Sequence, residues 1–587
     1  MAKQTDITEV WRLYQAGKDY NYKLDLYNTV DKLEKFYAGD QWSGVNAGNL
    51  DTPVFNIFKR IINYFIAAIM SQNIKMQFVP ELIGDEPAEG EEADIAQLAD
   101  MISSYSENLW EKLKMNNQMR QALLDAALSG DAGNYSFWNP KVKTGQIAEG
   151  DIDAELIDNV NVFFGNPNDR RINHNGYPIQ PYIVIAFRQM VKDLRAEAKA
   201  NGVPKDKIEL ITADLDTYEQ SGDRGKIELE QDSQDSAGKA IALLYLYPDG
   251  GTIKAVKATK FVEVRKEWDT KLSIYPVAWM NWDVRKNSYH GQAIGTGLIP
   301  NQIFINKAFA MVMLWLRQIG IPKVIYDKNR IPFWSNKIGE AIGVESVDGS
   351  IDSVAKYMVP SQLSEMVIKV IDLAIQYTKD MLGASDAAMG DVKPDNTSAI
   401  IAVQQAASIP LENIKQNLYQ FAEDMGYIWL DFMANYYGKR KVLVKVNGKK
   451  VVQEIDFSRL KTLKMRIKID VGPSSYWSEI TAMQTLDNLL QNDKITFIQY
   501  LDRVPNGIIP KKQELLDELK EQMQMQEQMM AEQQMQEQQM QEQQPQDEYD
   551  QMAQFIATLP PDMQEQLMAL PQEEMMAAVA QIQGSQV

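Results

Sequence analysis

Gly291 to Ile319 reads GQAIGTGLIPNQIFINKAFAMVMLWLRQI, and from Leu298 to Ile319 a 3.6-residue period places apolar side chains on nearly every face. A helix of that kind needs protein neighbours all round it. About 40 residues with Pro, Gly and strand-like pieces follow, from Gly320 to Val359. Ser361, a suitable N-cap after Pro360, then predicts a second helix that ends before Gly383. Its apolar side is Leu363, Met366, Val367, Val370, Ile371 and Ile375; its polar stripe is Glu365, Lys369, Asp372, Gln376 and Lys379. Two helices thus frame a compact insert. Ser385 to Asn396 (SDAAMGDVKPDN) forms a loop before a third helix, expected from Thr397 to Tyr437 with Gly438 as its stop. Pro410 lies inside that helix, where a missing donor and a clash with the preceding turn predict a kink. Beyond it, Ile414, Leu418, Phe421, Met425, Ile428 and Phe432 keep a 4-3-4-3-4 rhythm. A bent helix of about 40 residues far exceeds the usual length of about 11 to 12, which suggests architecture shared between subunits.

Working outward, Ile95, Leu98, Ile102, Tyr105, Leu109 and Leu113 make one apolar stripe, the mark of a packing helix. Ala240 to Tyr247 and Thr252 to Val264 flank the turn Pro248-Asp249-Gly250-Gly251, and Lys441 to Val446 and Lys449 to Ile455 flank Asn447-Gly448. Both read as antiparallel hairpins. With helices and strands in separate blocks, the expected class is α+β, mainly helical. The 587 residues allow three or more packed regions. Asp85 to Glu92 (DEPAEGEE) reads as an acidic linker. The last 67 residues, Glu521 to Val587, hold twelve acids, no Lys or Arg, and a Gln/Met/Glu run expected to be a frayed helix or disorder.

Composition removes several classes. Sixty Lys and Arg stand against 80 Asp and Glu, a net charge of −20, which disfavours a protein that neutralises phosphates over its whole surface. There is no cysteine, so disulfides, thiolate metal sites and cysteine nucleophiles are excluded; with only His174 and His290, a histidine metal cage is excluded as well. The N-terminus MAKQTDITEV does not read as a secretory signal, and the expectation is a cytosolic product. Ile61 to Met70 and Ala308 to Leu316, the most apolar runs, fall short of the roughly 20 residues of a bilayer span. They are expected to be buried between protein neighbours.

Motifs of chemistry are weak. GxxxxGK[ST], HExxH and the EF-hand loop are absent. Gly291, Gly295 and Gly297 are compatible with a phosphate cradle at a helix N-terminus, or more simply with a tight turn. Asp151, Asp153, Glu155 and Asp158 are compatible with Mg²⁺ in a nuclease, or with a solvated acidic face. His174 and His290 have no evident nucleophile partner and read as structural. No enzyme activity, cofactor or metal is expected.

Five stretches carry a family likeness: FYAGDQW (Phe36 to Trp42), PVFNIFKRIINYFIAAI (Pro53 to Ile69), SGDAGNYSFWN (Ser129 to Asn139), YHGQAIGTGLIPNQIFINKAF (Tyr289 to Phe309) and NTSAIIAVQQAASIPLENIKQNLYQFAEDMGYIWLDF (Asn396 to Phe432). In their order, and in the helix, insert, helix, loop, kinked-helix succession, the chain resembles portal proteins of tailed bacteriophages over most of positions 30 to 520. The resemblance implies a homododecameric ring at one capsid vertex, assembled in host cytoplasm, with double-stranded DNA in its channel and no membrane partner. It implies wing at residues 1–290 and 439–472, stem helices at 291–319 and 360–383, a clip at 320–359, and a tunnel loop at 384–396. It further implies a kinked helix at 397–438 and a crown at 473–520, followed by the tail at 521–587, to which it assigns no role.

The implied partners are the terminase large subunit, the head-tail adaptor that replaces it, and the major capsid and scaffolding proteins. Lys323, Lys328, Arg330, Phe333, Trp334 and Lys337 are the clip candidates for docking, since aromatics beside cations suit a protein contact. A channel that passes DNA both ways must not grip it, because each neutralised phosphate adds affinity. Lys369, Lys379 and Lys393 alternate with Glu365, Asp372, Asp391 and Asp395, as that requirement asks, with Met389 on the same loop. For Lys369 and Lys379 an ordinary solvated helix face is the alternative. Two other classes stay open on sequence: an acidic scaffold or coiled-coil adaptor without a DNA channel, and a metal-dependent nuclease.

Overall fold

The structure, a computed structural model, describes residues 6–48, 50–70, 74–81, 91–145, 149–214, 238–319, 323–331, 333–335, 337, 354–358, 363–381, 384, 409–446, 449–471, 476–492, 494–504, 509, 512, 515–516, 518–523, 525–526, 529 and 550–585. The chain divides into two compact units, Met1–Ser475 and Tyr476–Val587. The fold is mixed α+β with helices predominating.

Unit one opens with α1 (Ile7–Lys23), α2 (Leu26–Ala38) and α3 (Ile57–Ile69), each begun by a polar residue. Asp6 accepts from the Thr8 amide and Asn56 from the Lys59 amide, satisfying donors that a helix start leaves free. Strand β1 (Ile74–Pro80), α4 (Glu91–Lys112) and α5 (Met115–Ser129) follow. The expected stripe of α4 faces inward: Ile95, Leu98, Ile102 and Leu109 are buried. Next come β2 (Asp131–Asn139), β3 (Asp151–Ile157), β4 (Val162–Phe164), the short pair β5 (Asn173–His174) and β6 (Tyr177–Pro178), and β7 (Ile183–Met190). Two helices, α6 (Val191–Ala200) and α7 (Lys205–Glu209), precede β8 (Lys239–Asp249), β9 (Thr252–Ala258), β10 (Glu263–Asp269) and β11 (Val277–Asn281).

These strands build a five-stranded antiparallel sheet, order β10-β9-β8-β7-β4, and a three-stranded one, order β11-β2-β3. Between β8 and β9 the turn is Gly250-Gly251, both at positive φ (64° and 85°), a conformation glycine takes without strain. The expectation of one strand from Thr252 to Val264 needs correction. The Thr259 amide donates to Val262 O at 2.8 Å, and its hydroxyl bonds there too, so the chain reverses and β10 starts at Glu263. No Gly or Pro marks this turn, and strand periodicity alone runs straight through it. One face of the larger sheet packs Val184, Ala186, Ile241 and Leu243 against Val10 and Tyr14 of α1. Its other face meets Tyr275, Val277 and Trp279.

The main core joins α2 to α5 with α8 (Gly295–Gln318) and α10 (Glu412–Phe432). Between those two helices lie β12 (Lys323–Tyr326), β13 (Ala355–Met358) and α9 (Glu365–Asp380). The rhythm of α10 is core: Ile414, Leu418, Phe421, Met425, Ile428 and Phe432 are all buried. After a π-helical turn, Met433–Tyr437, the chain forms β14 (Lys439–Val446), β15 (Lys449–Asp456) and β16 (Met465–Val471). β14 pairs with β15, while β16 returns to pair with β1 across nearly 400 residues of chain, Ile74 opposite Val471 and Pro80 opposite Met465. The linker at Asp85 to Glu92 falls largely outside the described residues.

Unit two holds α11 (Tyr476–Gln491) and α12 (Phe497–Arg503), whose start is a reciprocal Thr496/Gln499 capping box. Its last part is helical at residues 550–557, then α13 (Pro561–Met568) and α14 (Gln572–Gly584). Ile556, Leu567 and Val579 form a small core there, at the end of a tail read from composition as a frayed helix or disorder.

Candidate functional site

The site is built around α8. Its N-terminal end is locked in place by polar groups from distant parts of the chain. His290 is fully buried; its Nδ1 lies 2.6 Å from Asp131 Oδ2 and its Nε2 lies 2.9 Å from Asn21 Oδ1. Asn21 Nδ2 donates to Val160 O at 3.0 Å, which fixes the amide so that its oxygen faces the ring. Both imidazole nitrogens therefore meet acceptors. Asp131 Oδ1 also accepts from the Gly291 amide and from Asn281 Nδ2, both at 2.6 Å. Tyr289 lies against the ring, 3.9 Å between centroids, and donates to Val162 O at 3.0 Å; burial pushes its pKa well above the ordinary phenol value.

Two of the three glycines read as a possible phosphate cradle, Gly291 and Gly295, are used for packing, whereas Gly297 is exposed and a Cβ there would meet nothing within 4 Å. The Gly291 amide is taken by Asp131, and a Cβ at Gly291 would stand 2.6 Å from Gly130 O. A Cβ at Gly295 would stand 2.4 Å from Leu33, so α8 starts hard against α2 and α3. Two turns on, Gln302 Oε1 accepts from the Phe58 amide at 3.0 Å and its Nε2 donates to Phe55 O at 2.7 Å. Asn306 Nδ2 donates to Gln41 Oε1 at 2.6 Å. Nothing in the sequence pattern flagged Gln302 or Asn306, because a buried amide differs from a solvated one only through partners more than 240 residues away.

The far half of α8 is different. No residue from Met311 to Ile319 is buried, and Met311 is 69% exposed. Helix α8 is long and apolar enough to cross a membrane by length and composition, which the short apolar runs counted in the sequence did not indicate. The reason is that Asn301, Gln302, Asn306 and Lys307 interrupt those runs without making the helix polar. Two of the four are the buried amides just described, and Leu298, Ile299 and Ile305 pack inside the unit.

Helix α9 packs on α8 and is bare on most sides. Ser364 caps it by accepting from the Met366 amide; Ser361, the expected cap, lies outside the described residues. Only Ile371 and Thr378 are buried in it, whereas Met366, Val367, Ile368, Val370, Leu373 and Tyr377 are exposed. Lys369 is exposed, and Lys379 lies in the last turn of the helix. The paired strands β12 and β13 stand between the two helices in sequence, with Val324 opposite Tyr357. Lys323 starts β12; Arg330 pairs with Asp327 at 3.6 Å, and Trp334 stacks on Tyr326 at 5.6 Å. Lys328, Phe333 and Lys337 are exposed, Phe333 by 74%.

Met389, Asp391, Lys393 and Asp395 lie outside the described residues. Pro410 lies in a 3-10 turn, Ile409–Leu411, immediately before α10; the helical residues expected upstream of it are outside the described set. The acids Asp151, Asp153 and Glu155 alternate along β3 but do not converge. Asp151 Oδ2 meets Lys112 Nζ and its Oδ1 meets Tyr437 Oη, each at 2.5 Å, and Asp153 accepts from Asn139 at 3.1 Å. Among the described residues no group of three or more His, Asp or Glu side chains could hold a metal ion. His174 is exposed on the short β5.

The site is therefore a pair of apolar helices and an insert, anchored at one end and, among the described residues, exposed at the other. Comparison with curated proteins gives no match. Residues 256–586 match the family model described as Phage P22-like portal protein, a span that includes α8, the insert and α9. The chain belongs to the phage P22-like portal protein family, a structural and non-catalytic component of the virion that forms a ring around a DNA channel and serves as a docking platform.

Proposed function

We propose that the ring is a homododecamer at a single capsid vertex, assembled in the host cytoplasm, with α8 and α9 as its two stem helices. The observation that carries this reading is the apolar surface of α9 and of the far half of α8 left exposed among the described residues. Water is a poor neighbour for such a surface: each fully buried Met, Val or Leu side chain contributes about 1.5–3 kcal/mol. Adjacent copies around a rotation axis cover it on both sides.

In this reading residues 1–290 and 439–472 are wing, 291–319 and 360–383 the stem, and 320–359 the clip. The tunnel loop is 384–396, the kinked helix 397–438, the crown 473–520, and the acidic tail 521–587. The exposed Lys328, Phe333 and Lys337 of the clip support contact with a terminase large subunit during packaging and with a head-tail adaptor afterwards. Major capsid and scaffolding proteins complete the set of partners. Lys393, with Lys369 and Lys379 as sparse cations among acids, contacts the duplex without gripping it.

Class-averaged images of the purified protein down the ring axis are the test. Twelve-fold rings with a central hole are expected; elongated dimers would favour the acidic scaffold. In preformed rings, Lys393→Gln with its loop neighbours substituted is expected to impair DNA retention or translocation while rings still form. Unchanged packaging removes the loop from the mechanism.

A further inference from the structure

Residues 166–180 form a hairpin, with β5 and β6 at its tip, that is pinned to the body of unit one. Gln180, 1% exposed, accepts from the Asn166 amide at 2.9 Å and donates to the carbonyls of Asp169 and Arg171 at 2.8 and 2.9 Å. Asn173 accepts from the Tyr275 amide at 2.9 Å and donates to its carbonyl at 3.0 Å, while Ile172 is buried below. Asn175 and Gly176, both at positive φ, close the tip in the turn that an Asn-Gly pair favours. On this fixed mount Tyr177 is 72% exposed. Arg171 pairs with Asp169 at 2.8 Å, whereas Arg170 is exposed and has no ion pair among the described residues.

A cleft of about 120 Å³ lies between β1 and α4. Ile74, Met76 and Trp110 give it apolar walls, and the exposed Glu107 and Glu111 stand at its edge. Trp110 is held in place, since its indole donates to Asn116 at 2.9 Å. Glu107 is taken by Lys75 at 2.9 Å, but Glu111 has no ion pair among the described residues. Ser106 also lines the cleft; it is 1% exposed and its hydroxyl has no hydrogen-bond partner among the described residues. A buried hydroxyl left unpaired is unfavourable, so the cleft favours an apolar group with a polar end. Its size admits one ring, for a cavity of about 150 Å³ takes benzene. Tyrosine has that shape and that polar tip.

We propose that Tyr177 of one copy enters the cleft beside Ser106 of the next, its phenol hydrogen-bonded to the Ser106 hydroxyl and Arg170 facing Glu111. The occupant is a second copy because the chain itself supplies both halves of the fit. Among the exposed tyrosines described, Tyr22 already packs on Tyr27 at 5.1 Å between centroids and Tyr377 lies along α9 among apolar neighbours, whereas Tyr177 is the most exposed. An unpaired arginine on one half meets an unpaired carboxylate on the other, and tyrosine and arginine are the residues that most often anchor protein contacts. The two halves also lie on opposite sides of α10. Burial raises the Asp424 carboxyl and the Arg170 charge opposes that rise, which puts the hairpin on the Asp424 side. Gly426, about 200° round the helix, faces Met76 and Ile467, on the side of β1 and the cleft. A knob on one side and a socket on the other make a head-to-tail contact, the kind that closes into a ring. The inference rests on the ring proposed above and names one of its interfaces.

The chain has no cysteine, so placed thiols report this contact cleanly. His174→Cys on the hairpin is combined with Asn117→Cys near the cleft, both exposed and neither part of the contact, and the assembled full-length chain is treated with a short bis-maleimide. Denaturing electrophoresis is expected to show a ladder of covalent multimers for the double variant. Dimers alone are expected when the two single variants are mixed before assembly, and monomer for each single variant by itself. Dimers from one single variant overturn the inference, because like surfaces would then meet. A double variant that stays monomeric on the gel while images show rings also overturns it, and leaves the portal assignment standing. A second measurement reads the charges. Arg170→Glu or Glu111→Arg alone is expected to raise the concentration for half-assembly about threefold, and the two together to restore it. Losses that add instead of cancelling overturn the pairing. Tyr177→Phe, which keeps the ring and removes the hydroxyl, is expected to weaken assembly about threefold to tenfold, and unchanged assembly overturns the bond to Ser106.

Discussion

The two halves of α8 obey different rules although they are one continuous helix. The half from Gly295 to Ala310 buries Leu298, Ile299, Ile305 and Ala310 together with two amides, Gln302 and Asn306, whose partners lie on α3 and the segment before it. The half from Met311 onward buries nothing. The first is completed by its own chain; the second, with α9, is in our proposal completed by other copies. Polar groups are affordable at the base only because every one finds a partner there, since an unpaired buried polar group costs about 1–3 kcal/mol. Among the described residues the far half buries no polar group, its Arg317 meeting Asp51 in an exposed pair at 3.5 Å, and it offers mainly apolar surface.

The largest expected effect breaks the uncovered half. Val370→Glu combined with Met311→Glu should abolish rings, read as loss of the high-mass species in size-exclusion chromatography. The stability of the single chain should change by no more than about 0.5 kcal/mol, the usual limit for exposed substitutions. A fall in chain stability as large as the loss of assembly would mean that α9 is covered within its own subunit.

Next comes the anchored half. His290→Ala leaves Asp131 buried with one partner fewer, and breaking a buried pair from one side costs about 3–5 kcal/mol. Denaturant titration of the full chain checks this, with Asn21→Ala expected to cost less because it removes a neutral partner. Loss of under about 1 kcal/mol for His290→Ala would show that the lock at the start of α8 is dispensable.

The smallest effect is a pH dependence in the same unit. Burial raises Asp125 on α5 and Asp424 on α10 to about 6, against an ordinary value of 3.8, with Gln121 and Gln420 as their hydrogen-bond partners. A carboxyl whose folded pKa is raised binds protons more readily in the fold, so its charged form costs stability above about 6 and the cost disappears below the unfolded value. Asp125→Asn with Asp424→Asn should therefore stabilise the chain at pH 7, by about 1 kcal/mol after screening, and be neutral at about pH 3. Equal differences at both pH values would contradict the burial of these groups.

Much of the fold was legible locally. The stripe of α4, the rhythm of α10 and the glycine turn between β8 and β9 follow from periods and turn residues that act within a few positions. The break between β9 and β10 was not, because Thr259 makes that turn with its own hydroxyl and no glycine or proline announces it. Of the site, the apolar character of α8 and α9 was legible. Gln302, Asn306 and the Asp131–His290–Asn21 cluster were not, since polar residues in a loop or on a helix look alike until their distant partners are known.

Sequence by itself determined the helices, the hairpins, the uneven charge and, through ordered motifs, the family. These depend on intervals of two to four residues or on composition, which the chain carries with it. Tertiary structure alone decided that β16 pairs with β1, that His290 meets Asp131 and Asn21, and that α8 is anchored at one end and bare at the other. Those are pairings between residues far apart in the chain, and their energies arise only when burial removes water from both partners.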